Sequence, residues 1–482
     1  MNDRSTEAVR DYHERTKLYP GASSGPRRVD AALVPRQYKH YPHLEALPLT
    51  EPASSGRTLF DVLAASEGHS QGLSLDVLAS VLHLSAGIVR RRRIGERDLE
   101  FRAASCTGAL YHVELYIVCG DIDELAAGVY HYDVPSASLK RLRAGDYRRA
   151  VATACCDESV SSAAASVVLT STFWRNAWRY EERAWRHVFW DAGTLLANLL
   201  AVAESHDLEP RLLSSFLDAE VNALLDIEAR KEAAVAVVAL SGGGSASPAL
   251  ELAPLSHAVE PLSHAEIEYP LIWQTHAATS LESCDEVTAS RPPLTVTPTD
   301  RVTLHHEDGL SLGNAIRARG SARRFGAEPV PRTAFDSMLA LAVTRAVAET
   351  GADGVRPLAI VNNVEGLQPG FYDVSSQGEP LLRRPGDFAA AAGHLALDQV
   401  AASSAAANVY FVADLAAVTA GGGRAYRSAQ LEAGVRTGRL YLAAATLGLK
   451  ASGLTFYDDE VAEAFGLDSE ATLVLMLAVI GV

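Results

Sequence analysis

The feature that most constrains this chain is a weak internal repeat. Trp185-Arg186 is followed, after four residues, by Asp191-Ala192-Gly193, and the pattern returns 241 positions later as Tyr426-Arg427 and Glu432-Ala433-Gly434. The offset holds nearby: Arg183 matches Arg424, Leu199 matches Leu440, Ala203 matches Ala444 and Leu208 matches Leu449. Upstream, Gly128-Val129-Tyr130 answers Gly370-Phe371-Tyr372. Downstream, Phe216-Leu217-Asp218 answers Phe456-Tyr457-Asp458, and each half closes on an apolar run, AAVAVVAL (233–240) and TLVLMLAVIGV (472–482). A unit of roughly 200 residues used twice fits 482 residues better than three unrelated domains.

Each half reads as a helix, a hairpin-like strand pair, a long helix and a closing strand. Residues 188–204 carry Val188, Ala192, Leu195, Leu196, Leu199, Val202 and Ala203 near helical spacing. The run VELYIVC (113–119) has the β-branched and aromatic content of a strand. Helices and strands without a regular βαβ rhythm predict an α+β fold. The expected division is an N-terminal extension (1–50), a first domain (51–245), a linker (246–300) and a second domain (301–482). Segment 241–300 opens with SGGGSASP and later holds Pro292-Pro293, which suits a linker or surface excursion.

Composition removes several classes. Lys and Arg number 43 against 59 Asp and Glu, a net charge of −16 that argues against a nucleic-acid partner. No window holds about 18 uncharged apolar residues and the N-terminus has no apolar core, so no membrane span or export signal is expected. The five cysteines (Cys106, Cys119, Cys155, Cys156, Cys284) show no Cys-x-x-Cys spacing. That argues against a disulfide framework and a cysteine-based zinc site, leaves no metal expected, and suits a cytoplasmic protein.

In the second half, Arg319-Gly-Ser321-Ala-Arg323-Arg324-Phe325 sets two guanidinium groups on either side of a hydroxyl, a donor set able to converge on one phosphate. Taken alone it reads more readily as a solvated basic stretch at a helix end. Arg90 to Arg93 could grip an acidic peptide or be a solvated loop, and His305-His306-Glu307-Asp308 reads as surface. Glu181, Glu182 and Asp191 show no sign of an unusual environment.

R-x-S-x-R-x-F near a domain start resembles the FMN-phosphate motif of nitroreductase-like flavoproteins. Tyr12-His13-Glu14-Arg15-Thr16-Lys17 resembles the Y-H-x-x-T-K opening of the SagB-type dehydrogenases, azoline oxidases of thiazole- and oxazole-modified peptides. Gly128-Val-Tyr130-His131-Tyr132-Asp133 resembles that branch's G-x-Y-x-Y-D strand, Ser105-Cys106-Thr107-Gly108-Ala109-Leu110-Tyr111 stands at its P-S-A-G-A-L-Y loop, and Arg183-Ala-Trp185-Arg186 at its R-x-Y-R segment. The resemblance covers most of residues 10–240 and 310–482.

The resemblance implies tandem nitroreductase-like domains forming an intramolecular pseudo-dimer with one FMN per chain. Its phosphate would rest on Arg319, Ser321 and Arg323, with the ring near Ser452-Gly453-Leu454 and with Ser105, Cys106 and Gly108 supplied by the first half. The first half has Ala64 to His69 where the phosphate arginines would fall, and the second has Glu349 to Gly354 where the P-S-A-G loop would fall, so a single complete pocket is expected. Gly453 could equally be a helix-stop glycine in a loop. The branch's Lys-Tyr pair reads Arg179-Tyr180 here. Arginine cannot act as a base, which leaves Tyr180 as candidate base with Arg179 stabilising a phenolate, or else a surface basic–aromatic pair. The implied reaction converts thiazoline or oxazoline rings of a precursor peptide to thiazole or oxazole, with molecular oxygen as electron acceptor and a cyclodehydratase complex as partner. Alternatives are a nitroreductase-fold flavoenzyme on another substrate and a flavin-free scaffold.

Overall fold

The computed structural model describes residues 3–21, 30–53, 55–64, 72–95, 97–291, 309–344 and 354–482. It divides into two compact units: Met1–Arg27 with Gly56–Ala64 and Pro293–Val482, and Arg28–Ser55 with Ala65–Pro292. In chain order the strands are β1 (Ala46–Pro48), β2 (Ile88–Ile94), β3 (Arg97–Arg102), β4 (Val113–Cys119), β5 (Gly128–Asp133), β6 (Ser138–Ala144), β7 (Ala165–Thr172), β8 (Pro210–Leu213), β9 (Glu232–Leu240), β10 (Arg356–Val361), β11 (Gly370–Val374), β12 (Pro380–Pro385), β13 (Ala407–Asp414), β14 (Lys450–Leu454) and β15 (Thr472–Gly481).

One unit holds a seven-stranded sheet ordered β1-β6-β5-β4-β7-β9-β8, the other a six-stranded sheet ordered β12-β11-β10-β13-β15-β14. Every neighbouring pair is antiparallel. Without the edge strand β1 the two orders are the same, so the sequence repeat is a repeat of topology. Even the irregularities recur. The β7–β9 register shifts at Leu169/Thr170 and β13–β15 at Phe411/Val412; β5–β6 shifts at Val129/Tyr130 and β11–β12 at Phe371/Tyr372. A bulge bends and twists its strand locally, so both sheets carry the same two bends.

Central strands β4, β7 and β9 are buried along their whole length, which is why they read as apolar runs rather than alternating patterns. The polar member of β4, Glu114, is tolerated because Arg175 Nη1 (2.6 Å) and His131 Nε2 (3.1 Å) pair with it. Desolvation would raise its pKa, but Arg175 and His131 outweigh that and hold the carboxyl well below the usual carboxylate range. Each sheet packs against a long helix, Ala184–Ser205 or Gly423–Thr446, buried along nearly its whole length. A helix apolar and covered on nearly every side is a core helix rather than a surface one. A shorter helix packs on each, Leu75–Ala86 and Arg332–Val343. Ser74 caps the first of these by accepting from Val77 N.

The N-terminal helix, Asp3–Arg15, belongs to the unit built on the second half. Tyr12 and His13 at its end and Thr16 and Lys17 just beyond it are buried, so the fixed positions of Y-H-x-x-T-K face the protein. His13 Nδ1 meets Tyr426 Oη at 3.1 Å, and Lys17 Nζ pairs with Asp459 at 2.9 Å. Segment 241–300 is more structured than its composition suggests, with helices Pro270–Ala278 and Cys284–Ser290 in its described part.

Several expectations need correction. Cys156 and Cys284 form a disulfide across 128 positions; tertiary packing brings together two cysteines whose spacing carries no signal. Arg90 to Arg93 lie in strand β2 rather than a loop, with Arg90 over the Phe101 ring and Arg91 paired to Glu100 across the hairpin. His305 to Asp308, Ala65 to His69 and Glu349 to Asp353 lie outside the described residues. No helix among the described residues is long and apolar enough to cross a membrane. Purified without reductant and then denatured, the chain should yield three reactive thiols, from Cys106, Cys119 and Cys155, and five after reduction; thiol titration checks this.

Candidate functional site

The loop before β4 starts from a few strained residues. Gly108, Ala109 and Tyr111 have φ of 65°, 54° and 47°, a region that costs non-glycine residues energy and persists only where surroundings enforce it. The enforcement is visible at both ends. At the near end, Asp191, on the buried face of Ala184–Ser205, accepts from Thr107 N and Thr107 Oγ1, each at 2.9 Å to Oδ1. Its Oδ2 meets Cys106 Sγ at 3.1 Å and His112 Nε2 at 2.8 Å. At the far end, the Tyr111 carbonyl accepts from Arg175 Nη1 (2.9 Å) and Arg102 Nη1 (3.3 Å). Arg102 is therefore a buried loop clamp. Cys106 Sγ in turn accepts from Tyr111 N at 3.0 Å. Burial, then the charge of Asp191, push the Cys106 thiol well above its ordinary pKa, so it stays a neutral thiol rather than a nucleophile. Ser105, Cys106, Ala104, Asp191 and Leu195 line a small cavity beside it.

Tyr180 meets this loop. Gly108 is exposed, and a Cβ there would lie 2.8 Å from Tyr180 Oη. The structure thus brings the candidate base against the loop proposed from sequence. Arg179 is exposed and its guanidinium sits 5.7 Å from the Tyr180 ring centroid, over the ring face. Edge-on to Tyr180, with centroids 4.6 Å apart, is His187. Burial first, and then Arg183, His112 and Arg186, hold His187 well below its ordinary pKa, so it is neutral. Its Nδ1 donates to Asn176 Oδ1 at 2.7 Å.

The second group of candidates lies in the other unit. Arg319 follows helix Leu312–Ala318 in extended conformation, and Ser321 forms a parallel bridge with Ala451 at the start of β14. Ser321 and Arg323 are exposed and Arg319 half-buried. The bridge sets the basic motif beside Ser452, Gly453 and Leu454, three strand residues paired with Val479, Ala478 and Leu477 of β15. The helix-stop reading of Gly453 is therefore corrected: it lies inside β14, and a Cβ there would come within 2.3 Å of Tyr441 Oη. Any side chain there would force the Tyr441 hydroxyl to move. Ser452 is 1% exposed and its Oγ has no hydrogen-bond partner, a costly state for a buried hydroxyl.

The expectation that Asp191 has no unusual environment is corrected: it is buried and anchors the loop, while His112 and His187 carry no motif in the sequence. A carboxylate in the middle of an apolar helical stripe was the available signal, because such a group must be paired. Gly453→Ala is expected to destabilise the protein by about 1–3 kcal/mol through overpacking. Most of that loss should vanish in a Tyr441→Phe background, which removes the oxygen in the way; denaturant unfolding of the four proteins measures it.

Comparison with known proteins adds three findings. The pattern of the nitroreductase family matches residues 69–243 and 316–482, more than half of the chain and both halves of the repeat. A crystal structure from Anabaena variabilis bearing the nitroreductase name is 26% identical with a TM-score of 0.79, covering 98% of this chain and 99% of that one. A protein of Methanocaldococcus jannaschii, also bearing that name, is 24% identical over 160 residues, 33% of this chain and 77% of its own.

Proposed function

The chain belongs to the nitroreductase family, and from that premise we propose that it is an FMN-dependent dehydrogenase that oxidises azoline rings to azoles in a ribosomally made peptide. The observation that carries the flavin assignment is the bridge between Ser321 and Ala451. It sets two arginines and a serine beside a buried, unpartnered Ser452 hydroxyl and an exposed glycine, Gly453. That donor set fits a phosphate-bearing cofactor: forked guanidinium bonds suit the phosphate, and the Ser452 hydroxyl is left without a protein partner.

Arg319, Ser321 and Arg323 then hold the phosphate, and Ser452, Gly453 and Leu454 border the ring. Ser105, Cys106 and Gly108 are proposed for the same cofactor on the resemblance of their loop. FMN, when bound, supplies the acceptor for the two electrons and proton that leave as hydride. Tyr180 takes the proton from the ring carbon next to the carbonyl. Arg179, over the ring face, favours the phenolate form by its charge. The partners that follow from this reading are an azoline-containing precursor peptide, a cyclodehydratase and molecular oxygen. The azoline assignment draws its support from the Tyr12–Lys17 resemblance, whose residues form the buried face of the first helix. A second reading, a nitroreductase-fold flavoenzyme on another substrate, is favoured by Arg179 standing where the branch has lysine.

The double change Arg319→Ala/Arg323→Ala is expected to strip FMN from the purified protein, while Arg356→Ala on the exposed start of β10 leaves it bound. Tyr180→Phe should keep its flavin and lose about 10²–10⁴-fold in azoline oxidation, the usual worth of a general base. Flavin quantified per chain and turnover of a thiazoline peptide are the readouts. Colourless wild-type protein even after adding FMN would leave only the scaffold. Flavin-loaded protein inert towards azolines would favour the second reading.

A further inference from the structure

We propose that Cys106, His112 and Asp191 form a mononuclear site for a borderline divalent cation, Zn²⁺ above all. The proposal shares Cys106 with the flavin assignment but does not rest on it: every contact it uses lies within Ala65–Pro292, and its test reads bound zinc rather than flavin.

Three ligand atoms of the kinds zinc prefers converge here: a sulfur, an imidazole nitrogen and a carboxylate oxygen. Cys106 Sγ, His112 Nε2 and one Asp191 oxygen all lie within 4.8 Å of one another, with Asp191 Oδ2 3.1 Å from Sγ and 2.8 Å from Nε2. Bonds to zinc of about 2.3 Å from sulfur and about 2.0–2.2 Å from nitrogen or oxygen would seat one ion among them. The two separations made by Asp191 Oδ2 would each open by roughly half an ångström, the shift from a hydrogen-bonded pair to two corners of a tetrahedron, while Cys106 Sγ and His112 Nε2 already lie within 4.8 Å of each other.

What distinguishes the cluster from a chance meeting of polar groups is that each ligand is held from behind. His112 Nδ1 lies 2.8 Å from Ser171 Oγ, which fixes the ring with Nε2 facing inward. Thr107 Oγ1 bonds Oδ1 of Asp191 and Thr107 N bridges both oxygens (2.9 and 3.0 Å), which fixes the carboxylate with Oδ2 facing Cys106 and His112. The Tyr111 amide donates to Cys106 Sγ at 3.0 Å, a bond that strengthens as the sulfur becomes a thiolate. Outer partners of this type orient metal ligands and tune their basicity. The backbone supports the same geometry, since Cys106 and His112 stand at the two ends of the strained loop and Asp191 on the buried long helix. Cys106 is only half-buried and borders the cavity it shares with Ser105 and Ala104, so an ion has a route in and a fourth position for water or another small ligand.

Binding balances simply. The Cys106 thiol proton leaves to solvent as the S–Zn bond forms. The proton between His112 Nε2 and Asp191 Oδ2 is replaced by the ion, and a proton sits on Nδ1 to be donated to Ser171 Oγ. One proton is released per ion bound to a neutral imidazole.

The test uses the full chain, stripped with a chelator and dialysed against Zn²⁺, with zinc per chain measured by elemental analysis and affinity by competition with a chromophoric chelator. About one zinc per chain is expected, with Cys106→Ser and His112→Ala losing stoichiometric binding and Cys119→Ala, at a buried cysteine outside the cluster, keeping it. Ser171→Ala leaves all three ligands in place and should weaken binding by about 10–100-fold. Co²⁺ in place of zinc should give a sulfur-to-metal charge-transfer band that Cys106→Ser abolishes. Wild-type protein that takes up no zinc, or zinc retained equally by Cys106→Ser and His112→Ala, overturns the proposal and leaves the cluster a hydrogen-bonded loop anchor. Should those two variants fail to fold, Ser171→Ala decides: an affinity equal to wild type overturns the site.

Discussion

The first-half loop depends on one buried carboxylate. Asp191 accepts from the amide and the hydroxyl of Thr107 and faces both Cys106 and His112, and it does so from a helix that is itself buried under the sheet. A buried carboxylate without partners is too costly to persist, so the partners are bound to it as firmly as it is to them. The requirement works in both directions. The helix fixes where the carboxylate lies, and the carboxylate then dictates a loop path that three residues can follow only in the left-handed region. Arg102 and Arg175, clamping the Tyr111 carbonyl, close the other end.

The second half shows how the same position was put to other use. Glu432 stands at the repeat partner of Asp191, on the equivalent helix, and is fully buried. Its Oε1 accepts from Arg436 Nε at 2.6 Å, and Arg436 Nη1 in turn donates to Val355 O and Ala342 O. One methylene more in the side chain, and an arginine one turn on, convert a loop anchor into an internal ion pair that binds backbone carbonyls. The sheets meanwhile kept their strand order and both bulge positions. Topology is held by burial of whole strands, which many apolar sequences satisfy, whereas a polar contact is lost with one side chain.

Much of the architecture was legible in the sequence because it is local. VELYIVC occupies β4, the closing apolar runs are β9 and β15, and the long helices fall where the Trp-Arg and Tyr-Arg pairs placed them. Apolar periodicity reports such elements since burial of one face or of a whole segment is written residue by residue. The candidate site was legible only in pieces. Motifs single out Tyr180, Gly108, Ser321 and Gly453 as candidates, but not the contacts around them: the Gly108–Tyr180 approach and the Ser321–Ala451 bridge each join segments distant in the chain. Cysteine spacing failed for the same reason, because Cys156 and Cys284 are brought together by packing alone.

By itself, the sequence determined the duplicated α+β architecture, its strands and long helices, and a basic motif suited to phosphate. All are properties of composition and periodicity within one stretch of chain. Only the tertiary structure decided that Cys106, His112 and Asp191 converge, that the first helix docks its Tyr12–Lys17 face on the second half's unit, and that Ser452 is left buried without a partner. These are consequences of where whole elements pack, set by the sum of many small apolar contacts. No short-range pattern encodes which two distant polar groups that packing will bring within reach of each other.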